Sequence, residues 1–118
     1  MASGDFTNQM AYGRAMDLSA QVHQLRPAFE AGVQPELFND LRTASLQVVH
    51  RIAHVVDDAP KDVRAAMRSV KVALRELETL TNLAAQMHII DDASLDRLSD
   101  IYSEVHFLLK GLLKSLMI

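Results

Sequence analysis

The sequence VRAAMRSVKVALRELETLTNLA, residues 63–84, contains no glycine or proline and repeats its apolar residues at helical spacing. The repeating residues, one threonine among them, recur at alternating intervals of four and three, which keeps them on one face of a helix. They are Val63, Met67, Val70, Leu74, Leu77, Thr81 and Ala84. Because no glycine or proline occurs between Pro60 and Gly111, we predict a long helix over residues 60–88 that buries this face.

Three further stretches show the same spacing, so the sequence predicts helices over residues 5–29, 35–57 and 92–116 as well. Pro27 is expected to bend or end the first helix, since proline lacks an amide donor. Asp58 and Pro60 are expected to start the third helix, as a capping side chain and a preset backbone. The short breaks between the helices are typical of antiparallel neighbours. We therefore predict one all-α domain over residues 1–118, an up-down-up-down antiparallel four-helix bundle.

Composition narrows the class of protein. The chain has 118 residues, of which 49 % are hydrophobic and only 5 % aromatic, and it contains no cysteine. The absence of cysteine excludes a disulfide scaffold and a thiolate metal site. The first residues lack a basic segment followed by an apolar one, and no run of eighteen apolar residues occurs. We therefore expect a cytoplasmic protein that does not associate with a membrane.

The sequence contains no motif typical of an enzyme. Neither a nucleophile motif, nor a phosphate-binding loop, nor a dinucleotide fingerprint appears. The serines within the predicted helices belong to no catalytic pattern, and the methionines fall on or beside the core stripes. We therefore expect a protein that is not an enzyme and that holds no cofactor.

The fourth predicted helix carries more apolar residues than one core face needs. Beside its core stripe it has Ile101, Phe107, Leu108, Leu113, Met117 and Ile118. A bundle helix normally covers its core with about three positions in seven, whereas these residues spread around most of the helix. The sequence therefore predicts a second interface and a homo-oligomer. The alternative is a broad core contact followed by an exposed apolar C-terminus.

A row of cations follows one face of the third predicted helix. Arg64, Arg68, Lys71 and Arg75 are spaced by four, three and four residues. Such a row could follow a phosphate backbone, so RNA or DNA is a candidate partner. The alternatives are a solvated face, or pairing with acidic residues of a neighbouring protomer. The net charge of −3 and the few aromatic residues available for base stacking count against nucleic acid.

Two other groups of charged or ligating side chains stand out. Glu76 and Glu78 are two residues apart and cannot share a helix face, and we expect one of them to pair with Arg42 or Arg75. A structural ion pair is favoured over a catalytic carboxylate.

His50 and His54 are four residues apart and could face the same way on the second helix, where such a pair can bind zinc. Arg51 stands where the zinc-protease pattern requires glutamate. Exposed or interface histidines are therefore favoured, with a metal site as the alternative.

Several short segments resemble one protein family. Ala73–Thr79 reads ALRELET and is followed by an aliphatic run over residues 80–85, with His88-Ile89-Ile90 at the next turn. Upstream, residues 41–44 read LRTA and residues 52–53 read IA. These segments resemble bacterial four-helix bundle proteins encoded in intervening sequences of large-subunit ribosomal RNA genes, to which the accessory variability protein of diversity-generating retroelements is related. Where that family has Ser-x-Pro-x-Asn-Ile-Ala-Glu-Gly, this chain replaces the Ser, Pro, Asn, Glu and Gly.

The resemblance implies a bundle that assembles into a ring, commonly of five protomers. In the retroelement branch it also implies an adaptor that binds nucleic acid and a reverse transcriptase. Together with the apolar residues of the fourth helix, it predicts a non-enzymatic oligomeric scaffold or adaptor, most simply a homopentamer. The alternative is a nucleic-acid-binding accessory protein that uses the cations of the third helix.

Overall fold

The protein is all-helical over the residues that its computed structural model describes, which are residues 2–32 and 34–117, with side chains from residue 8 onwards. The helices are α1 (Ala2–His23), α2 (Arg26–Ala31), α3 (Pro35–Asp57), α4 (Val63–Gln86) and α5 (Asp92–Leu116). No strand occurs in this part of the chain, so the predicted all-α class is confirmed. Within the same residues, no helix combines the length and apolar character needed to cross a bilayer.

The four long helices share one elongated core. Helix α3 packs against α1 and α4, and α5 packs against the same two helices, while the short α2 lies against α3. The body measures 48 × 22 × 17 Å, as expected for long helices packed side by side. The predicted stripes supply most of the core. The fully buried large side chains include Leu18, Val22, Leu41, Ile52, Met67, Leu74, Leu77, Leu98 and Leu109.

Polar groups inside the core are paired by hydrogen bonds. The Thr81 hydroxyl donates to the Leu77 carbonyl at 2.8 Å, so the Tyr102 hydroxyl, 2.7 Å from it, must donate to Thr81. The hydroxyls of Ser19 and Ser45 lie 3.2 Å apart between α1 and α3. Each pair links two helices and satisfies groups that would otherwise be costly to bury.

The chain breaks before Pro27, as the sequence predicts, and then resumes a helix. Helix α1 ends at His23, and α2 starts at Arg26 with Pro27 in its first turn. Proline is tolerated there because its missing amide would have no helical partner. The short α2 buries Phe29, whose ring lies 5.5 Å from that of Phe38. The first helical stretch is therefore two helices.

The other helix starts follow capping side chains. Helix α4 begins at Val63 and not at Pro60, because the Asp62 carboxylate accepts from the Ala65 amide at 3.0 Å. Asp58, which we expected to start this helix, ends α3. Asp91 accepts from the Ser94 amide at 2.8 Å, so α5 starts at Asp92, the predicted first residue of that helix.

Candidate interaction surface

The predicted interface residues of α5 differ in their exposure to solvent. Phe107 is 75 % exposed and Met117 is also exposed, whereas Leu108 and Leu113 are half-buried at the sides of the helix. Ile101 is half-buried and packs against the core. Ile118 lies outside the described residues. The apolar surface of α5 is therefore centred on Phe107, with the two leucines as its floor.

Phe107 lies between two shallow grooves. The larger, of about 680 Å³, is formed by the second half of α5 and the start of α4. It is lined by Arg64, Phe107, Leu108, Lys110, Gly111, Leu113, Lys114 and Met117. The smaller, of about 390 Å³, lies between α1 and α5 and includes Met10, Glu104 and Phe107. An apolar surface of this kind, bordered by charged groups, is typical of an interaction site.

The predicted cations of α4 form one exposed row. Arg64, Arg68, Lys71 and Arg75 are all exposed, and the last three surround a shallow depression with Val72. Arg64 ends the row in the groove beside Phe107.

The fold extends this basic surface with two residues that the sequence reasoning did not include. Lys110 and Lys114 of α5 are exposed and line the same groove as Arg64. The sequence signal was their spacing of three and seven residues from Phe107, which places them on the same face of the helix.

The first half of α5 has the opposite charge. Asp92, Asp96, Asp100 and Glu104 follow one another at intervals of four, and all are exposed. Glu104 Oε2 lies 2.7 Å from Arg14 Nε of α1, so its charge is already engaged within the chain. The outer face of α5 therefore changes from acidic to basic along its length, with Phe107 near the transition.

Glu78 is paired with a histidine. Its Oε1 lies 3.0 Å from His106 Nε2 of α5. Among the salt bridges of the described residues, none joins Glu76 or Glu78 to Arg42 or Arg75, the partners that we predicted. The reason is packing, since Glu78 points to the α5 side of α4.

The two histidines of α3 are both exposed, and one of them contacts a carboxylate. His50 is exposed, and His54 Nδ1 lies 2.8 Å from Asp58 Oδ2 at the end of the helix. Within the part of the chain that the structure describes, no three His, Asp or Glu side chains are arranged to hold a metal ion.

Comparisons with protein-family models, with curated proteins and with solved structures give no match for this chain.

Proposed function

We propose that the protein is a non-enzymatic, homo-oligomeric scaffold or adaptor whose subunits meet through the outer surface of α5. The observation that carries the proposal is Phe107, a large apolar side chain that is 75 % exposed, more than any other large hydrophobic side chain of the described residues. Leu108, Leu113 and Met117 continue the apolar surface on either side of it. Removing such a surface from water favours association by about 25 cal/mol per Å².

We also propose that the long helices alternate in direction, as an up-down-up-down bundle. Residue pairs between neighbouring helices support this, because one number rises as the other falls. The pairs are Ser19 with Ser45 and His23 with Phe38 for α1 and α3, and Glu78 with His106 and Thr81 with Tyr102 for α4 and α5. The short connection between α3 and α4 supports the same arrangement.

A subunit interface explains the position of the apolar residues better than a broad core contact does. Leu98, Val105, Leu109 and Leu112 already fill the inner side of α5. Phe107 lies on the opposite side of the helix from these residues, so it contributes little to the monomer core. A second chain that covers Phe107 would remove this apolar side chain from water.

The test is the mass of the protein in solution, measured by light scattering for the wild type and for F107E. We expect the wild-type mass to correspond to two or more chains of 13.1 kDa. The F107E mass should correspond to one chain, with unchanged helical circular dichroism. The ring that the family resemblance implies corresponds to five chains. V72E is the matched control, because Val72 is an exposed apolar residue of α4 and its substitution should leave the mass unchanged.

Nucleic-acid binding is the second candidate function. The supporting observation is that Arg64, Arg68, Lys71 and Arg75 are exposed in one row, and that Lys110 and Lys114 continue it across the groove. Each cation that contacts a phosphate releases a bound counterion, so such binding weakens as salt rises.

Fluorescence anisotropy with labelled RNA and DNA tests this candidate. Binding that weakens with salt and is lost in R64E/R68E/R75E would favour it, since these changes replace three positive charges by negative ones. R97E is the control, because Arg97 is an exposed cation of the acidic half of α5. Absence of binding at low salt would exclude a main role in nucleic-acid recognition.

A further inference from the structure

The outer side of α5 carries a single stripe whose chemistry reverses from one end to the other. In chain order the stripe consists of Asp96, Asp100, Ser103, Phe107, Lys110 and Lys114. All six residues are exposed. Their intervals alternate between four and three, the spacing with which two helices pack along a straight seam. The stripe therefore follows one straight line along α5, on a side that the monomer leaves uncovered.

The stripe is complementary to its own reverse. When a second copy runs in the opposite direction, Asp96 faces Lys114, Asp100 faces Lys110, and Ser103 faces Phe107. We propose that two copies of the chain pair through antiparallel α5 helices, related by a two-fold axis near residue 105. This inference rests on the proposed function and specifies which surfaces of the two subunits meet.

Charge favours this arrangement over a parallel one. In an unshifted parallel pair, the two aspartates of one copy would face the aspartates of the other, and lysines would face lysines. The antiparallel pair replaces those repulsions with four ion pairs, two on each side of the axis. Complementary charges of this kind set the orientation and partner of paired helices.

Shape and surroundings agree with the antiparallel pair. Ser103 is small, so it leaves room for the Phe107 ring of the second copy. The groove beside Phe107 also contains Arg64, which adds positive charge at the end where Asp96 of the second copy would arrive. Glu104, the remaining acidic residue at this level of α5, is held by Arg14 at 2.7 Å and lies off the stripe.

The proposed two-fold contact limits the number of chains that α5 alone can join. It uses the same surface on both copies, so one such contact closes on two chains. A ring with an odd number of protomers requires two different surfaces on each chain. A ring of five built on α5 alone is therefore incompatible with the proposed pair.

Charge reversal at the two ends of the stripe tests the pairing by light scattering and sedimentation. D96K/D100K and K110D/K114D each create repulsion at both ends of the contact, and we expect each to raise the dissociation constant of the pair at least tenfold. The fourfold variant that combines all these changes restores complementarity and should associate like the wild type. A mixture of the two double variants should also associate, because one stripe is then wholly basic and the other wholly acidic.

Disulfide trapping tests the relative direction of the two α5 helices. Because the chain has no cysteine, only the introduced thiols can form disulfides. D96C/K114C should form a covalent dimer on mild oxidation, because the thiol at position 96 of one copy faces the thiol at position 114 of the other. D96C alone and K114C alone are the controls. The axis separates their identical thiols by about 27 Å along the helix, eighteen residues at 1.5 Å each, so neither should be linked.

The outcomes separate this inference from the proposed function. A monomeric wild type would contradict both. A wild-type oligomer whose mass is unchanged by either double charge reversal would contradict the two-fold contact alone. So would a ladder of higher covalent species from D96C/K114C, which would indicate a head-to-tail contact, or efficient linkage of D96C alone, which would indicate parallel helices.

Discussion

Tyr102 shows how one polar residue is held in the core. Its hydroxyl donates to Thr81, which in turn donates to the Leu77 carbonyl, so α4 and α5 are joined by a short hydrogen-bonded chain. Burial raises the pKa of Tyr102 well above its usual value of 10.0, and the nearby Glu78 carboxylate acts in the same direction. The neutral phenol is therefore the form that the folded protein favours.

The substitution Y102F has an expected effect that depends on pH. At neutral pH it should lower the free energy of unfolding by about 1 kcal/mol, the net value of a typical buried hydrogen bond. The folded-state pKa of Tyr102 is raised, so its contribution is fully present below the unfolded value of 10.0 and is lost as pH rises above it. Urea unfolding should therefore show the difference between wild type and Y102F shrinking above pH 10, and a constant difference would contradict the assigned environment.

At the scale of elements, the sequence located the helices better than their ends. The stripes of Val70, Leu74 and Leu77 in α4, and of Leu98 and Leu109 in α5, predicted the buried faces because a period near 3.6 leaves few alternatives. The ends depend on single side chains. Asp62 starts α4 by accepting one amide hydrogen bond, whereas the sequence analysis assigned this start to Asp58 and Pro60.

Side-chain contacts between different helices could not be predicted from the sequence. One of Glu76 and Glu78 was expected to pair with Arg42 or Arg75, whereas Glu78 lies beside His106 of α5. Likewise, Lys110 and Lys114 were not part of the predicted basic row, and packing brings them to the same groove as Arg64. Such pairs depend on the rotation and axial offset of packed helices, which apolar spacing determines only coarsely.

The end of α4 provides a test of backbone strain. His88 follows this helix with φ of 61°, and the Ile89 amide bonds back to the Ala84 carbonyl, as in a helix end that normally uses glycine. We expect H88G to raise the free energy of unfolding by about 0.5 to 1 kcal/mol, because glycine adopts this conformation without a steric penalty. N82G, at an exposed position inside α4, should lower it by a similar amount. Destabilisation by H88G would contradict this account of the helix end.

For the whole molecule, the distribution of apolar residues separates the core from the surface. The sequence shows an excess of apolar residues on the last helix. Only the packed structure shows which of these residues are buried in the core and which lie on the surface. Leu112 is buried, Leu113 is half-buried in the groove floor, and Phe107 points to solvent.

The mass of the wild-type protein at tens of micromolar, determined by light scattering beside F107E, tests the proposed oligomer most directly. We predict a wild-type mass that is a multiple of 13.1 kDa and an F107E mass of one chain, with equal helical content. A wild type that remains a monomer would contradict the account.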